Sequence, residues 1–117
     1  VMANAVAVGK VRAATIQLTD VSADALRKMG DEIKDKNPDA VVVFASVNGS
    51  SASLLCVCGK EAVAAGANAG KIIKETAAVT GGKGGGRPDS AMAGAGDVSL
   101  IGKALEAVPS IVGNFVK

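Results

Sequence analysis

The first clear pattern in the chain is "VRAATIQL", Val11 to Leu18, which reads as a β-strand. The period then changes. In "TDVSADALRKMGDEIKDKNPD" the residues Ala25, Leu26, Met29 and Ile33 recur at helical spacing on one face. Ser22 stands where an N-cap belongs, and Asn37-Pro38-Asp39 stops the helix. "AVVVFASV", Ala40 to Val47, shows no alternation at all, which predicts a central strand covered on both faces. Asn48-Gly49-Ser50 is a hairpin signal, so "SASLLCVCG", Ser51 to Gly59, is the antiparallel partner of that strand.

The second half is less regular. "KEAVAAGANAGKIIKETAAVTGG" is helical in part. Gly66 and Gly70 weaken its first half, the firm portion runs from about Asn68 to Val79, and Gly81-Gly82 ends it. Beyond a glycine-rich stretch, Asp97 caps a last helix in which Val98, Ile101, Leu105 and Val108 recur at three- and four-residue steps. Pro109 interrupts that pattern, so "PSIVGNFVK" is either a separate short helix or a kinked continuation. The order β-α-β-β-α-β-α predicts an α+β fold. It is one domain, a mixed sheet of about four or five strands with helices packed over it. Residues 1–8 are expected to be the stub of an upstream linker, with the domain spanning 9–117.

Composition narrows the chemistry. The chain has 117 residues, a one-domain length, and 49% of them are apolar, which excludes general disorder. Aromatics are only 2%, so the core must be built from Val, Ala, Leu and Ile, and reading of bases by aromatic stacking is disfavoured. There is no His, which removes most zinc sites, the Ser/His and Cys/His catalytic pairs and the usual general base. The net charge of +2 is mildly basic. No apolar run approaches a membrane span. Cys56 and Cys58 in "LLCVCGK" point to one face of a strand and are too close in sequence for an ordinary disulfide. They read as small reduced core residues, which suits a reducing, cytoplasmic compartment. The start "VMANAVAVGKVRA" lacks a charged signal-peptide region, and with Val1 ahead of Met2 the chain reads as a fragment.

The stretch that stands out is "TGGKGGGRPDSAMAGAGD", Thr80 to Asp97. Seven of its eighteen residues are glycine, far more than a turn needs. A P-loop is excluded because no Gly-Lys pair is followed by Ser or Thr. The dinucleotide fingerprint fails because Arg87 and Asp89 stand where its third glycine belongs. Two readings remain open. In one, the glycine loop of Gly81, Gly82, Gly84, Gly85 and Gly86 offers backbone N–H groups to an anion. Lys83 and Arg87 sit beside it, and Lys71 and Lys74 extend the patch from the preceding helix. In the other, the glycines only permit close packing, and Arg87 and Asp89 form an ion pair across a structural turn at Pro88. Positive φ is expected within the run, at Gly85 for example, where valine would cost about 1–3 kcal/mol.

"GGKGGGRPDSAMAGAG" resembles the signature of DHHA1-type domains, in the form found in the C-terminal domain (C-Ala) of alanyl-tRNA synthetases. The resemblance is ungapped from Gly81 to Asp89, then includes Ala91, Ala93 and Gly94, and the order of elements over roughly residues 5 to 117 agrees. Departures fall at Ser90, Met92 and Ala95. The resemblance implies a non-catalytic, tRNA-binding domain that contacts the elbow of tRNA(Ala) and links aminoacylation to editing of mischarged tRNA. Its partner would be the rest of the synthetase chain, and its parent an alanine–tRNA ligase using ATP, Mg and Zn outside this domain. The domain itself would need no cofactor and no metal. Two alternatives stand beside it. One is the substrate-binding domain of a DHH-family phosphoesterase, although that branch carries a Gly-Gly-His element and this chain has no His. The other is a dimerisation module forming a homodimer.

Overall fold

The computed structural model of the chain describes residues 6–116. Val6–Val8 (β1) and Val11–Thr19 (β2) pair antiparallel across a tight turn at Gly9. Helix α1, Ala23–Lys36, starts at Ser22, whose side chain accepts a hydrogen bond from the Ala25 N–H, and ends at Asn37. It returns the chain to Ala40–Asn48 (β3), which runs parallel to β2. A two-residue turn with Gly49 at φ 66° then leads into Ser51–Cys58 (β4), antiparallel to β3. Next come the short helix Lys60–Ala64 (α2) and Ala69–Val79 (α3), capped by the Asn68 side chain. Lys83–Gly86 (β5) and Ser90–Gly94 (β6) form a hairpin, and a 3-10 turn, Val98–Leu100, capped by Asp97, enters Ile101–Gly113 (α4).

The sheet has six strands in the order β1-β2-β3-β4-β6-β5, mixed because only β2 and β3 are parallel. This is the expected α+β domain, with more strands than the four or five read from the sequence. Val6–Val8, assigned above to a linker, pair with β2, while residues 1–5 of that segment lie outside the described residues. The other unforeseen strand is β5, made from the glycine run itself. Pro109 sits inside α4 without ending it, so the continuation reading is the one the structure takes.

Alternation along β3 explains why its sequence is apolar throughout. Val42 and Phe44 face α1 with Leu26, Leu55 and Val57, whereas Val41, Val43 and Ala45 face α3 and α4 with Ile72, Ile73, Ile101 and Val108. All of these are buried. The result is three layers, with α1 on one face of the sheet and α3 and α4 on the other. Cys56 and Cys58 lie in the second core as free thiols, and burial, then hydrogen bonding to Cys58, pushes the Cys56 thiol well up. No helix among the described residues is long and apolar enough to cross a membrane.

Candidate nucleic-acid interface

The end of α3 sets up the glycine run. The Thr80 hydroxyl donates to the Ala77 carbonyl at 2.7 Å and accepts from the Gly96 N–H at 3.1 Å, while the Asp97 N–H donates to the Thr80 carbonyl at 2.7 Å. The helix terminus is thereby tied to the segment that follows β6. Gly81, at φ 76°, makes the left-handed turn out of the helix, and Gly82 packs under the Gly94 carbonyl.

From there the chain is a strand, not the loop expected from its composition. Glycine is a poor strand former, and here pairing and backing decide the outcome. Lys83, Gly84, Gly85 and Gly86 pair in register with Gly94, Ala93, Met92 and Ala91. Gly84 and Gly86 face α3, where a Cβ at Gly84 would collide with the Ala93 methyl and one at Gly86 would lie 2.8 Å from the Ala91 methyl. The helix answers with its own glycine: a Cβ on Gly70 would stand 2.6 Å from the Gly86 carbonyl oxygen. Gly70 thus lets α3 lie directly on the strand backbone at Gly86, while Gly84 and Gly86 let β5 lie close against the methyls of β6. Gly85 is different. It points to the α1 face, its φ is not positive, and nothing lies within 4 Å of where a Cβ would be. The positive φ expected there is absent, so valine at Gly85 meets no such strain.

β5 is a sheet edge. The Arg87 N–H donates inward to the Ser90 carbonyl at 3.1 Å. By antiparallel alternation Lys83 and Gly85 also pair inward, and Gly84 and Gly86 turn their N–H groups outward. The strand's own side chains do not flank them, because both residues are glycine.

The structure divides the candidate cations between two faces. Lys71 and Lys74 are exposed on α3, on the α3/α4 face. Lys83 shares the α1 face with Gly85, and exposed Arg87 lies just beyond the strand end. On that face an open groove of about 420 Å³ separates α1 from the hairpin, lined by Arg27, Asp31, Lys34, Gly85, Arg87 and Met92 among others. Arg27 and Lys34 were not candidates from the sequence. Their seven-residue spacing on α1 was readable, but the β5–β6 hairpin that faces them was not.

The expected Arg87–Asp89 ion pair is replaced by another. Lys34 donates to Asp89 at 3.1 Å and lies 3.7 Å from Asp31, with its side chain only 19% exposed. The Lys34 hydrogen bond holds the Asp89 carboxyl below its usual range against the opposing effect of partial burial, and Arg87 contributes the weakest of the charge effects. A helix lysine reaches the turn carboxylate, and the Arg87 side chain has no carboxylate within 4 Å among the described residues. Pro88 still serves the turn: its carbonyl accepts from the Ala69 N–H at 2.8 Å, joining the hairpin tip to the start of α3. Among the described residues no group of three or more His, Cys, Asp or Glu side chains could hold a metal ion.

The DHHA1 domain profile matches residues 7–114. The chain belongs to the DHHA1 family. It is 43% identical to alanine–tRNA ligase of Acetivibrio thermocellus, over 96% of this chain and 13% of that protein. It is 38% identical to alanine–tRNA ligase 1 of Lachnoclostridium phytofermentans, over 100% and 13%, and 42% identical to the Geobacillus thermodenitrificans enzyme, over 87% and 11%. The C-Ala domain from Aquifex aeolicus alanyl-tRNA synthetase has the same fold, with a TM-score of 0.86 at 25% identity, covering 94% of this chain and 98% of that one. The chain therefore spans about an eighth of the length of the relatives it matches, and corresponds to the C-terminal domain of alanyl-tRNA synthetases.

Proposed function

We propose that this domain is the tRNA-binding module of an alanine–tRNA ligase. It contacts the elbow of tRNA(Ala) and thereby brings aminoacylation and editing to the same tRNA. One observation carries the reading: an exposed glycine edge strand with outward N–H groups is flanked by Lys83 and Arg87, neither of which has a carboxylate within 4 Å among the described residues. Cations without internal partners beside bare backbone donors suit phosphates of a structured RNA, which is recognised through shape and backbone more than through stacked bases. On this reading ATP, Mg and Zn serve other parts of the parent protein, the parent acts in the cytoplasm, and the domain alone performs no chemistry. With no His in the chain, it lacks the usual general base.

Fluorescence anisotropy with labelled tRNA(Ala) at several salt concentrations tests this. Lys83→Ala and Arg87→Ala should each weaken binding and flatten the log–log salt dependence by about 0.7–0.9, with an unchanged melting temperature. Wild-type affinity and slope in both variants would remove the edge strand from the RNA interface. Assays of the isolated chain for aminoacylation and deacylation should give no turnover, and turnover in either would refute the non-catalytic reading.

A further inference from the structure

The groove on the α1 face holds a feature that tRNA binding at the edge strand does not require. Arg27 crosses from α1 to the hairpin and points its Nε at the Met92 sulfur, 3.0 Å away. A thioether is a weak acceptor, and a guanidinium has five N–H donors. No carboxylate lies within 4 Å of Arg27 among the described residues, so contact with Met92 positions the group without neutralising it. Arg87 lines the same groove, also without an ion-pair partner among the described residues, and Gly85 leaves the floor open because no Cβ occupies it. The one acidic lining residue, Asp31, already lies 3.7 Å from Lys34. With Lys34 paired to Asp89, Arg27 and Arg87 against Asp31 still leave the groove net positive.

We infer that Arg27 and Arg87 together hold one phosphodiester group of the bound RNA in this groove. The strand then passes over the β5 edge onto the α1 face and not onto the face that carries Lys71 and Lys74. The inference rests on the RNA-binding reading and adds to it a residue, a face and a shared ligand. A planar guanidinium on either side of one phosphate offers paired N–H donors to its oxygens, a geometry that lysine does not reproduce.

The test is a double-mutant cycle on the full chain with labelled tRNA(Ala). Arg27→Gln should weaken binding about tenfold, as expected for losing a hydrogen bond to a charged group. It should lower the salt slope by about 0.7–0.9. The melting temperature should hold, because Arg27 is exposed. Arg27→Gln/Arg87→Gln should lose less than the product of the two single losses, since both arginines serve one phosphate. Wild-type affinity and slope in Arg27→Gln would overturn the inference, and so would strictly multiplicative losses. If Lys71→Gln and Lys74→Gln lose affinity while Arg27→Gln does not, the RNA lies on the α3 face, and RNA binding survives without the groove. If the wild-type chain fails to bind tRNA at all, the RNA-binding reading falls, and the groove assignment with it.

Discussion

At residue scale, neighbouring glycines in the run have opposite duties. Gly84 is pressed against Ala93 and has no room for a side chain, whereas Gly85 faces open space. Gly84→Val should destabilise the domain by about 1–3 kcal/mol through overpacking. Gly85→Ala should change stability by less than about 0.5 kcal/mol. Paired thermal melts check this, and equal melting temperatures for the two variants would contradict the close contact between Gly84 and Ala93. The sequence pointed to glycine in both places for one reason, backbone freedom, and could not separate them. What separates them is which face each Cα turns to the helix, and that depends on the register with β6. The same holds for Asp89. Its position in a turn was legible, but its partner was not, because Lys34 is 55 residues away and becomes a neighbour only through the topology.

At the scale of elements, the helices and the central strands followed from local signals: Ser22 as a cap, the firm helical stretch from about Asn68 to Val79, the unbroken apolar run of β3, and the hairpin glycine at position 49. β5 did not, because glycine has low strand propensity and the strand exists through its pairing with β6 and its contact with α3. Two ion pairs join these elements. Arg12 on β2 grips Asp39 at 2.8 Å and 2.9 Å, and Lys34 ties α1 to the hairpin through Asp89. Hydrogen bonding to Arg12 is the main cause holding Asp39 low, and the Ser99 hydroxyl and N–H do the same for Asp97. Carboxyls depressed in the folded state stabilise it above their unfolded pKa, about 3.9, and lose that contribution as pH falls through the lower folded values. The melting temperature should therefore be flat near neutrality and fall progressively from about pH 5 downward. Asp39→Asn should start lower at pH 7 and show a shallower acid limb. An acid limb unchanged in Asp39→Asn would mean that the Arg12 contact contributes nothing to acid stability.

At the scale of the whole molecule, three layers leave a glycine edge strand and place on one side of it two arginines that have no ion-pair partner among the described residues. The opposite edge, β1, ends the sheet with three residues beside β2. The two faces flanking β5 present different cations, lysines on α3 and arginines on either side of the groove at α1. The central claim is that tRNA is held at the β5 edge, and hydrogen–deuterium exchange of the chain with and without tRNA(Ala) tests it most directly. The outward N–H groups of Gly84 and Gly86 lack partners in the sheet and should exchange fast in the free chain and slowly in the complex, together with reduced exchange around Arg87. Protection confined to β1 and α4, with Lys83 to Arg87 exchanging as fast as in the free chain, would contradict the account.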